Sequence, residues 1–201
     1  MNLSSPLGDV ATGTRGALLQ ALARLEQPVT RRQLALLANV APGNATGVID
    51  DLIAIGLVSD FKAGRSSIVS LNRDHLAAAP IIALSGLRGE LIHRLRERLA
   101  SWPDLSGAWL FGSVARGDAT KTSDIDVLLI AEDLESPDLH DRLSHLQSDT
   151  KSWTGNDLQV VEHSPGSWRK LHTADNPLVE QIRLDGIALF ANDPSLLERR
   201  K

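Results

Sequence analysis

Apolar positions along the chain follow two rhythms, and the change from one to the other marks the elements. Residues 14–25 set Leu18, Ala21, Leu22 and Leu25 at the three-and-four spacing of one helix face. Pro28 stops that run. Thr30-Arg31-Arg32-Gln33 then has the form of a capping box, in which the Thr30 hydroxyl accepts an orphan amide and Gln33 reaches back. The helix opened there carries Leu34, Leu36 and Leu37 and is expected to end near Asn39. Pro42 suits the first turn of a third helix, with Val48, Leu52 and Ile55 on one side and Gly56 as its stop. Two short strands follow, at 57–61 and 67–71, joined by a turn at Lys62-Ala63-Gly64-Arg65. Residues 72–80 read as a connector and 81–99 as one long helix with Ile82, Leu84, Leu87, Leu91, Ile92, Leu95 and Leu99 apolar. The stretch 101–106, with Trp102-Pro103, is the expected junction.

Past that junction the rhythm changes. Residues 109–111 and 127–130 are short unbroken apolar runs between turn residues, the mark of buried strands. A helix over 138–152 buries Leu139, Leu143 and Leu146 and leaves His140 and His145 at the surface. Thr154-Gly155-Asn156 turns the chain into a strand at 158–162. Residues 164–182 are helical with a break at Asn176-Pro177, 187–190 closes as a strand, and 193–201 is a charged tail. Alternation of strand and helix predicts an α/β domain over 106–201, preceded by a helical domain at 1–76 and a linker helix at 77–105. Residues 1–13 are expected to be a frayed end.

Composition narrows the class without naming it. At 201 residues the chain has room for one large or two small domains. No apolar run approaches a membrane span, and the start lacks the basic and apolar regions of a secretion signal. With no cysteine there are no disulfides or thiolate metal sites, and a cytoplasmic location is expected. The net charge of −4 is uneven: residues 1–100 carry +3 and residues 101–201 carry −7. A mildly basic first half beside an acidic second half points to the first as the side facing nucleic acid.

The chemistry concentrates between the two buried strands, in a polar segment that opens Gly112-Ser113 and closes Asp124-Ile125-Asp126. Side chains alternate along a strand, so Asp124 and Asp126 share a face about 7 Å apart. Two carboxylates so placed can share a pair of divalent cations, which sit about 3.5–4 Å apart in two-metal sites. Gly112 permits a tight turn and close approach, the amides after it can cradle phosphate oxygens, and Ser113 adds a hydroxyl.

Gly112-Ser113, ten intervening residues and Asp124-Ile125-Asp126-Val127 resemble the signature of polymerase-beta-like nucleotidyltransferases. With Ala115-Arg116-Gly117-Asp118 and Ser123, the segment is similar to the minimal nucleotidyltransferases over 106–191. The resemblance implies a mixed sheet. It also implies transfer of a nucleoside monophosphate from ATP or another triphosphate to a hydroxyl, with two Mg²⁺ held by Asp124 and Asp126. Gly112, Ser113, Arg116 and Lys121 would then hold the phosphates. Active relatives add a third acid on the neighbouring strand. In Asn156-Asp157-Leu158-Gln159-Val160-Val161-Glu162, matching Asp-Leu assigns Asp157, whereas matching the flanking apolar residues assigns Gln159. Asp157 is the favoured reading, and with it an enzyme.

The first half resembles the winged helix-turn-helix of MarR- and ArsR-like regulators over 14–71, with Ile53-Ala54-Ile55-Gly56-Leu57-Val58 like the end of a recognition helix and the first wing strand. That architecture implies duplex DNA as a partner, with Arg31, Arg32, Lys62 and Arg65 on phosphates and Asn44 and Thr46 at base edges. The early third helix, Gly43-Asn44-Ala45-Thr46-Gly47, lacks the arginine a guanine reader wants, and Asp50 and Asp51 follow. Protein pairing is the alternative for this half. Arg88, Arg94, Arg96 and Arg98 on the long helix read as a solvated face with ion pairs, or else a stripe for a homodimer. Together the halves imply a regulator whose acceptor is a protein hydroxyl, as with antitoxins that adenylylate a toxin, or a tRNA end. The alternative is a repressor whose degenerate nucleotidyltransferase domain only senses nucleotide.

Overall fold

The computed structural model describes residues 1–63, 66–173 and 176–192, so Arg65, the tip of its turn and the charged tail lie outside the described residues. The chain divides into two compact units: Ser5–Leu87, and Met1–Ser4 together with Arg88–Lys201. The division at Leu87 corrects the expected linker over 77–105. Gly86 splits the long helix, its amide closing the first half on the Ile82 and Ala83 carbonyls, both at 3.1 Å. The expected junction around Trp102 is instead interior to the second unit, and Trp102 is buried.

In the Ser5–Leu87 unit, α1 (Pro6–Val10) stands where a frayed end is expected; Leu7 is buried against the unit's core, which gives that segment something to fold onto. Then come α2 (Gly13–Arg24), a two-residue strand β1 (Val29–Thr30), α3 (Arg31–Leu37) and α4 (Pro42–Ala54). The capping box forms as expected: Gln33 N donates to Thr30 Oγ1 at 3.2 Å and Thr30 N to Gln33 Oε1 at 2.9 Å. Strands β2 (Val58–Ala63) and β3 (Ser66–Leu71) form an antiparallel hairpin, and β1 adds to its β3 edge. Helix α5 (Ala78–Ser85) closes the unit. Leu18, Leu22, Leu34, Ile49, Leu52 and Val69 form its core. Leu36 and Leu37 are 78% and 59% exposed, because one seven-residue helix buries only the Leu34–Ala35 side.

The second unit is a four-stranded mixed sheet of order β6-β5-β4-β7. After α6 (Leu87–Ala100) its elements are β4 (Leu105–Phe111), α7 (Gly112–Arg116), β5 (Ile125–Ala131), α8 (Pro137–Thr154), β6 (Leu158–His163), α9 (Pro165–Thr173), α10 (Pro177–Asp185) and β7 (Ile187–Ala191). Strand β4 runs antiparallel to β5 and β7, while β5 and β6 are parallel, the pairing that requires the α8 crossover. Strand alternation divides the core. Ile125, Val127 and Leu129 pack with Leu91, Leu95, Leu139 and Leu143 from α6 and α8; Leu128 and Ile130 pack with Trp168, Val179 and Ile182 from α9 and α10. Leu3 joins the first of these clusters, fully buried. Among the described residues no helix is long and apolar enough to cross a membrane.

Candidate active site

Asp126 belongs to the β5 face of Leu128 and Ile130, at the end where that face opens. Strand pairing sets it opposite Phe111, the last residue of β4, so the turn into α7 begins beside it. Gly112 takes φ +72°, and a Cβ there would lie 2.2 Å from Asp126 Oδ2. The carboxylate therefore rests against a backbone that must be glycine, for space and for conformation. Gly117, at φ +83°, ends α7 by returning its amide to Ser113 O at 3.0 Å, and Asp118 N reaches the same oxygen at 3.1 Å.

Burial raises the Asp126 pKa first, and the neighbouring Asp124 charge raises it further; Arg116 acts in the opposite sense. Each effect comes from position: Asp126 is half-buried on the sheet, Asp124 precedes the strand in the open, and Arg116 lies on α7. Two repelling carboxylates, one partly desolvated, are a donor set that a hard divalent cation neutralises, so Asp124 and Asp126 fit Mg²⁺. Arg116 also pairs with Asp118, Nε to Oδ2 at 3.1 Å. Ser113 is half-buried on α7, and Lys121 is exposed in the loop before Asp124.

The third acid is arranged differently. Parallel pairing aligns Asp126 with Gln159 and Ile125 with Leu158, so Asp157 stands one step before β6, level with Asp124. Ile125 N donates to Asp157 O at 2.8 Å, tying the two chain segments together. The Asp157 carboxylate accepts from Lys151 Nζ at 2.8 Å through each oxygen. Among the described residues no group of three His, Cys, Asp or Glu side chains is gathered for a metal.

Two residues to which the sequence gives no role at the site support this geometry, and Arg88 among them is expected on a solvated face or a dimer stripe. Arg88, at the start of α6, donates through Nε to Val114 O at 2.7 Å and through Nη2 to Ala115 O, so its guanidinium satisfies carbonyls of α7. Asn156 is buried, and its Nδ2 donates to Ser123 O at 2.8 Å, fixing the loop one residue before Asp124. No motif marks either residue, because each acts on backbone oxygens distant in sequence.

In the Ser5–Leu87 unit, Asn44 and Thr46 are exposed in the first turns of α4, and the Thr46 hydroxyl donates to Pro42 O at 3.0 Å. Arg32 and Lys62 are exposed. Arg31 is engaged three ways, with Asp50 at 2.5 Å, Asp60 at 2.8 Å and Ser67 Oγ at 3.2 Å. The Ser67 hydroxyl and then Arg31 lower the Asp60 pKa.

A mixed sheet whose strand-to-helix glycine seats an aspartate is where the family comparison falls. The Polymerase beta, Nucleotidyltransferase family matches residues 93–195, just over half of the chain, and the chain belongs to that family. No curated protein matches it in sequence. Among solved structures, a toxin-antitoxin with AMP-PNP is 23% identical, covering 53% of this chain and 76% of that one at a TM-score of 0.36. The adhesin competence repressor of Streptococcus pyogenes is 22% identical over 44% of this chain and 64% of its own, at 0.33. A nucleotidyltransferase structure from Sulfolobus solfataricus is 20% identical over 53% and 89%, at 0.29. At these TM-scores none of the three bears on what this chain does.

Proposed function

We propose that the chain transfers a nucleoside monophosphate, AMP foremost, from a nucleoside triphosphate to a hydroxyl on a protein or an RNA end, and that its N-terminal unit binds duplex DNA. The observation that carries the catalytic half is the Asp126 carboxylate seated on Gly112 beside Asp124, in a chain of this family. Asp124 and Asp126 would hold Mg²⁺, which would supply Lewis acidity to the transfer. The Gly112 and Ser113 amides and the Ser113 hydroxyl orient the β- and γ-phosphates, and Arg116 and Lys121 offset the charge that gathers on the leaving group. The acceptor oxygen bonds to the α-phosphorus, the bond from that phosphorus to the bridging oxygen breaks, and pyrophosphate departs with the electron pair. Asp157 takes the hydroxyl proton once Lys151 releases it.

The element order α2-β1-α3-α4-β2-β3 supports a winged helix in the Ser5–Leu87 unit. Asn44 and Thr46 then meet base edges, and Arg32, Lys62 and Arg65 meet phosphates. Arg31 serves differently in this reading: its three internal bonds brace α3 against α4 and the wing strands. A regulator joining both activities suits a toxin–antitoxin pair that controls its own operon.

One observation favours a second reading, a repressor that senses nucleotide without turnover: Gln159 stands level with Asp126, and Asp157 is occupied by Lys151. Labelled transfer from an α-³²P triphosphate to the neighbouring gene product or tRNA separates the two. Transfer that Asp124→Asn/Asp126→Asn abolishes supports the enzyme. Magnesium-dependent triphosphate binding without transfer supports the sensor, and binding unchanged in the double variant removes both.

A further inference from the structure

On the far side of the sheet from Asp126, α6 and α8 border an open groove of about 330 Å³ lined by Arg98, Ser101, Trp102, Arg142, His145, Leu146 and Asp149. That volume lies at the small end of the range for ligand pockets, about 300–1,000 Å³. Arg142 and His145 stand three residues apart on α8, so one face presents both. Among the described residues neither side chain has a hydrogen-bond or ion-pair partner. Arg98 is held in place: its Nη2 lies 2.6 Å from Asp149 Oδ2, and its guanidinium is 5.9 Å from the Trp153 ring centre, with Arg94 over the same ring at 5.4 Å. Two guanidinium groups face one carboxylate across this lining, so its charge is positive before His145 is counted. The buried Trp102 supplies an apolar wall.

We propose that this groove is a second binding site, independent of metal, for a phosphate group carried by a nucleotide or by RNA. An unpartnered guanidinium is an unspent planar fork of donors, and phosphate offers it more acceptor oxygens than a carboxylate does. The groove exceeds what phosphate alone fills, which leaves the sugar or base to lie against Trp102. Asp149 excludes nothing here, because Arg98 already neutralises it. The proposal stands apart from the catalytic reading, since no lining residue belongs to the carboxylate site.

The test is titration calorimetry on the full chain in EDTA, with inorganic phosphate, AMP, a short single-stranded RNA and succinate as probes. AMP or RNA should bind one to one, and Arg142→Ala/His145→Ala should weaken binding about tenfold or more, the loss of a charge-assisted contact. Asp124→Asn/Asp126→Asn should bind as the wild type does, which separates failure here from failure of the catalytic site. RNA tighter than AMP identifies a nucleic acid as the source, and the reverse order identifies a free nucleotide; either supports the site. Arg142→Gln, which keeps a polar amide end without the charge, should weaken binding alike if the double variant proves unstable. No binding of phosphate, AMP or RNA overturns the proposal, as does binding unchanged in the groove variants or succinate bound as tightly as phosphate.

Discussion

Gly112 and Asp126 divide one small volume between them: the glycine gives up a side chain so that the carboxylate can lie against its backbone. The arrangement opposes stability at neutral pH. Asp126 has its pKa raised by burial and by Asp124, so the folded state binds its proton more tightly than the unfolded chain does. Stability therefore falls as pH rises through the interval between the unfolded and folded values, and the penalty is in full force above both. Asp126→Asn should raise the melting temperature at pH 7, and the gain should vanish below the ordinary aspartate range. A variant no more stable than wild type at pH 7 contradicts this. The aspartate pair is legible in the sequence because Gly-Ser, a fixed gap and alternating residues are all local features. Gln159 against Asp157 is not, because both residues occupy the same face and only the pairing with β5 tells which one stands beside Asp126. Arg31 is half legible: its charge is plain in the sequence, while nothing local foretells that its neighbours in space are Asp50 and Asp60.

Among the elements, α7 depends most on its surroundings. Five residues are too few to hold a helix alone, and it persists between the φ of Gly112 and Gly117 and under the Arg88 guanidinium. Hydrogen bonds to a charged donor contribute about 1.5–3 kcal/mol each when partly buried. Arg88→Met should therefore weaken triphosphate affinity about tenfold or more, while circular dichroism remains that of the folded protein. Lysine should rescue it only in part, since its single ammonium nitrogen lacks the fixed planar spacing by which Nε and Nη2 reach two successive carbonyls. Affinity equal to wild type in Arg88→Met would show that α7 holds its shape unaided. Helix boundaries were readable wherever a capping residue marks them, as at Thr30, Pro42 and Asn176. The break at Gly86 was hidden because apolar residues continue in helical register on both sides of it.

For the whole molecule the informative residue is Leu3, which lies in the core with Leu91, Leu95 and Leu99, beyond the entire Ser5–Leu87 unit. The chain thus begins in one unit, builds the other, and returns. Leu3→Ala should destabilise the sheet unit by about 2–5 kcal/mol, as buried leucine truncations do. Hydrogen exchange of the β5 amides should then quicken about tenfold or more, while those of α2 and α4 keep their protection. Exchange in β5 that stays slow would mean Leu3 is dispensable to that core. Fraying was the natural expectation for residues 1–13, since nothing near them in sequence explains two buried leucines.

The position of Leu3 also sets an order of events at the ribosome. At about 5–20 residues per second, its partners on α6 are synthesised roughly 4–20 seconds after it. During that interval the Ser5–Leu87 segment has every residue of its own core available and can close as a unit. Leu3 remains in water beside it, an exposed apolar side chain awaiting a helix not yet made. Leu3 is therefore made well before the helix that covers it and is buried only afterwards, and a protease or chaperone that reads exposed apolar segments has its opportunity in that gap.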